Sequence, residues 1–184
     1  MVCTLAFGAN QPSHVGDPRA TVALAFEALA EGGLTLVSRS AMFRTPAFPA
    51  GMGPDYVNAV GVFETQLAAR EVLALCHATE ARFGRTRDIR WGSRCLDIDL
   101  LDHGGAVWPD ADTYARWQAL PLEAQIGATP EQLILPHPRI ADRGFVLVPL
   151  ADAAPEWIHP VTGRSVAQMI AALPPDAVND VVKL

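Results

Sequence analysis

The chain has 184 residues, half of them apolar, with 14 Lys and Arg against 20 Asp and Glu. That is enough material for one domain of ordinary size with a real core, and too little for a second full domain. A formal net charge of -6 excludes broad affinity for nucleic acid or anionic membrane, since both attract a field of the opposite sign.

Val2 to Phe7 is a short apolar run closed by Gly8-Ala9-Asn10, the pattern of a buried strand ending in a tight turn. Val22, Leu24, Ala25, Phe26, Ala28 and Leu29 then give a helical apolar face that Gly32-Gly33 stops. Leu34 to Phe43 alternates apolar and polar residues and is expected to be one strand, broken by Thr45-Pro46. The prolines and glycines from Ala47 to Pro54 predict a functional loop, and Tyr56 to Thr65 predicts the third strand. Ala68 to Phe83 carries Val72, Leu73, Leu75, Cys76 and Thr79 at helical spacing, with Gly84 as a C-terminal stop. Leu96 to Leu101 is apolar apart from Asp97 and Asp99, as suits a central strand with one chemically special face.

The order βαββαβ predicts an α+β chain of the ferredoxin-like class, an antiparallel sheet covered by two helices on one side, with a C-terminal extension. Residues 106 to 130 are expected to be an insertion within a single domain spanning residues 1–184. Phe145 to Leu150 is expected to add a strand, and Ser165 to Leu173 a last helix. Cys3, Cys76 and Cys95 have no metal-like spacing and read as reduced thiols that serve as buried filler. The sequence opens without a basic segment leading into a long apolar one, and no stretch approaches the roughly 20 apolar residues of a membrane span. A soluble, cytoplasmic monomer is the expectation.

Charge is unevenly distributed: Arg82, Arg85, Arg87, Arg90 and Arg94 fall within thirteen residues, and two aspartates follow. Asp97 and Asp99 are two apart on a predicted strand, so their side chains leave the same face. An isolated pair of this kind is usually a solvated edge. Here the flanking Leu96, Ile98, Leu100 and Leu101 argue for burial, and adjacent buried carboxylates need a cation. Hard oxygen ligands in so small a number suit Mg²⁺, which takes its other ligands from water and a substrate's phosphates. Arginines upstream supply bidentate donors for polyphosphate, although any one of them alone would read as a solvated helix end. Neither a Walker-type phosphate loop nor a dinucleotide fingerprint occurs, which leaves phosphate to side chains and metal. His137 has Arg139 and Arg143 for company and is a candidate phosphate or ribose contact.

Arg90-Trp91-Gly92-Ser93-Arg94-Cys95-Leu96-Asp97-Ile98-Asp99-Leu100-Leu101 resembles the signature of the hydroxymethyldihydropterin pyrophosphokinases. Further blocks resemble the family in the same order. They are Gly8-Ala9-Asn10, Phe43-Arg44-Thr45-Pro46, Asp55-Tyr56-Val57-Asn58-Ala59, Glu80-Ala81-Arg82-Phe83-Gly84-Arg85 and Leu135-Pro136-His137-Pro138-Arg139, continuing to Arg143-Gly144-Phe145. The resemblance implies transfer of the terminal two phosphates of ATP to the pterin alcohol, in folate biosynthesis. It also implies two magnesium ions on Asp97 and Asp99, with Arg85 and Arg94 as catalytic arginines. By the same resemblance Asn58 reads the pterin edge, Tyr56 and Phe145 sandwich the ring, and Thr45 and Pro46 offer backbone contacts. Glu80, Arg87, Trp91, His137 and Arg143 match the nucleotide side. Ala9, Cys95 and Ile134 depart from the family's commoner residues, and none of the three removes a charge. Two rival readings follow from the same residues: a non-reacting binding protein, and a pyrophosphokinase for a different alcohol.

Overall fold

The computed structural model describes residues 1–47, 53–84, 95–121, 124 and 130–184. Its centre is an antiparallel sheet of β1 (Val2–Ala9), β2 (Thr35–Arg39), β3 (Phe43–Thr45), β4 (Tyr56–Glu64), β5 (Asp97–His103) and β6 (Val182–Lys183). The strand order is β5-β1-β4-β3-β6, with β2 beside the other half of β4. Two helices, α1 (Pro18–Glu31) and α2 (Ala69–Arg82), complete the ferredoxin-like arrangement.

The single strand expected over Leu34 to Phe43 is two. β2 pairs with the far end of β4 and β3 with its beginning, at Tyr56 to Asn58. The break falls at Ser40, whose hydroxyl takes a place in the ladder by accepting from Val60 N at 2.9 Å. Its own N–H donates to Val60 O, also at 2.9 Å, and the chain is then free to turn at Ala41 and Met42.

α1 begins where Asp17 accepts from Ala20 N at 2.8 Å with Pro18 in the first turn, and it stops at Gly32-Gly33, where Gly33 has φ +100. Its buried stripe of Val22, Ala25, Phe26 and Leu29 packs on the odd residues of β1, Cys3, Leu5, Phe7 and Ala9. Phe7 stacks on Phe26 with centroids 4.1 Å apart, and Phe63 closes the cluster at 5.9 Å from Phe26. Gly61 makes room for it, because a Cβ there would stand 2.5 Å from Phe26 Cε1 and 2.7 Å from Phe63 Cε2.

The opposite face of the sheet holds a second core of Ala6, Val60, Val62 and Leu101 under a helix where a strand was expected. Gly144–Ala153 forms α4, after α3 (Ala111–Gln118) in the insertion. The apolar run from Phe145 to Leu150 carries no period that separates strand from buried helix. Pro149 inside it is the residue that speaks against a central strand, since it would remove a ladder hydrogen bond. Val146, Leu147, Leu150 and Ala153 face the sheet at helical spacing. The helix expected over Ser165 to Leu173 is present as α5 (Val166–Ala171), capped reciprocally by Ser165 and Gln168. The architecture is therefore helix, sheet, helix rather than a sheet covered on one side.

The insertion is anchored near its start and through α3. Trp108 and Leu135 exchange backbone hydrogen bonds of 2.9 and 3.0 Å, and the fully buried Tyr114 of α3 bonds His159 Nε2 through its hydroxyl at 3.0 Å. His159 Nδ1 accepts from Val161 N and Thr162 N, so Nε2 carries the proton and donates to Tyr114. Burial holds this imidazole below the usual histidine range. After α5 come α6 (Pro175–Asn179) and β6, neither of which the sequence pattern announced.

Gly61→Ala is expected to destabilise the fold by about 1–3 kcal/mol through overpacking against the two rings. An unchanged urea midpoint would show that the aromatic cluster yields without cost.

Candidate functional site

Two rows of residues cross the sheet on the face that carries α4. One runs Asp97–Gly8–Asn58–Phe43 and the next Asp99–Ala6–Val60, each step a directly opposed antiparallel pair. Opposed side chains share a face, so Asp97, Asp99, Asn58 and, two residues before it, Tyr56 all point toward the α4 layer. Gly8 leaves a gap in the first row: a Cβ there would lie 3.4 Å from Asn58 Oδ1 and 3.9 Å from Tyr56 Cδ1.

The acid pair is held from both sides of the sheet. From below, Glu80 of α2 is 2% exposed and accepts from Ile98 N at 2.8 Å, pinning the backbone between the two aspartates. From above, Arg143, at the start of α4, places Nη1 3.0 Å from Asp99 Oδ2. Its guanidinium also lies 5.7 Å from the ring centroid of Phe145, which is 41% exposed on the first turn of α4.

His137 N donates to Leu101 O at 2.8 Å, which lays the segment around Leu135 to Pro138 along the end of β5. Desolvation, reinforced by the positive charge of Arg143, holds this imidazole down at about 4, against a partial upward pull from Asp99. It is neutral at pH 7. Nδ1 accepts from Arg139 N at 3.1 Å, so the proton sits on Nε2, a donor. Arg139 itself pairs with Asp142 at 3.0 Å and reaches Gln118 O and Leu120 O, tying the end of α3 to the segment that carries His137.

On the β3–β4 side, Asn58 Nδ2 donates to Thr45 Oγ1 at 2.8 Å, with both residues buried. That leaves Asn58 Oδ1 toward the Gly8 gap. Pro46 is exposed just beyond β3. Arg44 and Asp55 pair at 2.7 Å across the ends of the loop, and Asn10 Nδ2 donates to Pro54 O at 3.2 Å.

Sequence reading singled out Thr45, Pro46, Tyr56, Asn58, Glu80, Asp97, Asp99, His137, Arg143 and Phe145. Among these, the structure joins Thr45 to Asn58, Asp99 to Arg143 and Arg143 to Phe145. Arg85, Arg87, Arg90, Trp91 and Arg94 lie outside the described residues. Two contributions were missed: Gly8 as the gap between an acid and an amide, and Arg139 as the tie to the insertion. Gly8 was legible only as a turn residue, because its neighbours are set by pairing across the sheet. Among the described residues no helix is long and apolar enough to cross a membrane. The three cysteines are free; Cys3 and Cys76 are buried as expected, but Cys95 is only half-buried, its Sγ donating to Pro12 O at 3.3 Å, and burial raises the thiol pKa of Cys3 to about 11 and pushes Cys76 up as well.

A family model described as 7,8-dihydro-6-hydroxymethylpterin-pyrophosphokinase (HPPK) matches residues 4–155. The chain belongs to this family. Pyrophosphoryl transfer from ATP to hydroxymethyldihydropterin, in folate synthesis, is accordingly its reaction. A 2-amino-4-hydroxy-6-hydroxymethyldihydropteridine pyrophosphokinase of Methylorubrum extorquens is 35% identical over 170 residues, 92% of this chain and 94% of that protein. The protein of the same name from Pseudomonas aeruginosa is 36% identical over 165 residues, covering 88% of each. In fold, this pyrophosphokinase is like the HPPK-DHPS of Plasmodium falciparum, with a TM-score of 0.62 at 12% identity, over 92% of this chain and 44% of that one.

Glu80→Leu should lower stability by about 1–3 kcal/mol, the cost of leaving the Ile98 N–H buried without its acceptor. Glu80→Gln, which keeps an acceptor oxygen, should recover most of the loss in urea titrations. Equal loss in both variants would mean that the carboxylate charge, not the hydrogen bond, is what matters.

Proposed function

We propose that Asp97 and Asp99 hold magnesium against the ATP phosphates, and that the pterin lies over Gly8 between Tyr56 and Phe145 with its edge on Asn58. The observation that carries this reading is the row Asp97–Gly8–Asn58. It sets an acid and an amide two strands apart, about 10 Å, with no side chain between them. A flat ring reading Asn58 would send its hydroxymethyl arm toward Asp97.

The carboxylates suit the metal. They are two hard oxygen ligands on one face, few enough that water and phosphate complete the shell, and a cation, the Arg143 guanidinium, already rests against Asp99. Magnesium, when bound, supplies charge neutralisation and Lewis acidity at the phosphate oxygens. The remaining work falls to the chain. Tyr56 and Phe145 stack on the ring and keep water from it. Asn58, fixed by Thr45, orients the ring so that the hydroxymethyl oxygen meets the β-phosphorus in line, with AMP leaving. No protein nucleophile is needed. Neutral His137 donates from Nε2 to a phosphate oxygen, and Arg143 moves from Asp99 to the phosphates as the nucleotide arrives. Glu80 holds the strand between the acids, and its place on the nucleotide side is through that strand. Arg85 and Arg94 act as the catalytic arginines, Arg87 and Trp91 serve the nucleotide, and Thr45 and Pro46 give backbone contacts to the pterin.

Asp97→Ala and Asp99→Ala should each cut AMP production by roughly a thousandfold with the fold intact, since a lost metal contact is worth several kcal/mol in the transition state. Chelation should abolish turnover, and Mg²⁺ should restore it. Near-normal turnover by either variant would overturn the assignment. Gly8→Val should fill the gap and weaken pterin binding by roughly tenfold or more, measured by titration, at little cost to ATP affinity. Unaltered pterin affinity in that variant would move the ring elsewhere.

A further inference from the structure

The family match stops at residue 155, yet the chain beyond it returns to the site. After α5, α6 lies against the first turn of α4, so closely that a Cβ on Gly144 would run into the backbone carbonyl of Ala177. Gly144 is buried and stands between Arg143 and Phe145. A few residues further on, β6 joins the outer edge of β3, with Phe43 opposite Lys183 and Arg44 opposite Val182. Leu184 N donates to Met42 O at 2.9 Å in the same ladder. The next residue of β3 is Thr45, which accepts from Asn58.

Lys183 ties the two walls together. Its Nζ is 5.9 Å from the Phe43 ring centroid and 3.4 Å from Asp152 Oδ1, on α4. The other oxygen of Asp152 accepts from Ala41 N at 2.7 Å, just before β3. One short segment thus touches the helix that presents Arg143 and Phe145 and the strand that presents Thr45.

We propose that Pro174–Leu184 is a positioning strap for the pterin end of the site, holding the first turn of α4 in register with the β3–β4 wall. This rests on the reading of Asn58 and Phe145 as pterin contacts. The strap adds little to the core: no residue of α6 is buried, and Val182 and Leu184 are each 43% exposed. Its effect should therefore fall on alignment more than on global stability. β3 is three residues long, and an edge so short frays readily when its outer partner is lost. Gly144 is a positioning residue by the same argument, since any side chain there pushes α6 away.

Two variants test this: a chain ending at Leu173, which lacks α6 and β6, and Gly144→Ala, which keeps every other residue. Pterin affinity, affinity for a non-hydrolysable ATP analogue, AMP production and thermal midpoint are measured on both and on the full chain. In each variant pterin binding should weaken about tenfold while affinity for the ATP analogue stays within about twofold. The misalignment should lower kcat about tenfold to a hundredfold. A synthetic peptide of residues 174–184 should restore pterin affinity to the shortened chain. Pterin binding unchanged in both variants would overturn the strap. So would equal loss of both ligands with a collapsed thermal midpoint, which would make the segment a general stabiliser. Failure of the full chain to bind pterin would instead overturn the reading of the site, and the strap with it.

Discussion

The pairing of β1 on both edges is the constraint from which the site follows. Leu5, Phe7 and Ala9 must face the α1–α2 core, so Ala6 and Gly8 face the other way, and β4 and β5 are fixed by their pairing to that choice. A one-residue slip of β5 would send Asp97 and Asp99 into the layer that holds Phe7 and Phe26, where an unpaired carboxylate costs several kcal/mol or more. The hydrophobic pattern of a single central strand thus fixes which face carries the acids. The register shift between Thr4 and Leu5 falls beyond them, toward the far end of β5, and leaves the rows through Gly8 and Ala6 regular.

Electrostatics divide the charged residues by their tasks. The Arg143–Asp99 pair keeps 28% and 34% of its side-chain surface open to solvent, so it is worth only about 0–1 kcal/mol in stability and exchanges partners cheaply. That suits a guanidinium whose proposed destination is a phosphate. Glu80 is the reverse case: buried, receiving a backbone N–H, and placed on the face opposite the acids. It stiffens the strand that displays the two aspartates, and stiffness there matters because catalysis without a nucleophile depends on position.

Much of this was legible in the sequence where the signal is local. The strand at Val2, the amphipathic faces of α1 and α2, and the i, i+2 spacing of Asp97 and Asp99 all follow from periodicity. What escaped depends on distant partners. The run from Phe145 to Leu150 is apolar on every side, and only Pro149 hinted at a helix. The break at Ser40 needs a hydroxyl that accepts from Val60, twenty residues away. Tyr114 turns a polar insertion into an anchored helix by finding His159, 45 residues on. Gly8 reads as a turn residue until Asn58 and Asp97 are placed on either side of it.

The three departures from the family's commoner residues bear on the same geometry. Ala9 is fully buried in the α1–α2 core, on the face of β1 turned away from Gly8, so the missing hydroxyl would not have pointed at substrate. Cys95 places Sγ 3.3 Å from Pro12 O, the bond a hydroxyl in that position would make, and so keeps the link between the end of β1 and the start of β5. Ile134 is 5% exposed beside Leu135, where a hydroxyl would have needed a buried partner. All three changes fall on packing and connection, while the acids, the amide and the described cations remain. A chain can vary in this way because the reaction asks for charge and alignment, and the sheet supplies alignment through register rather than through those three side chains.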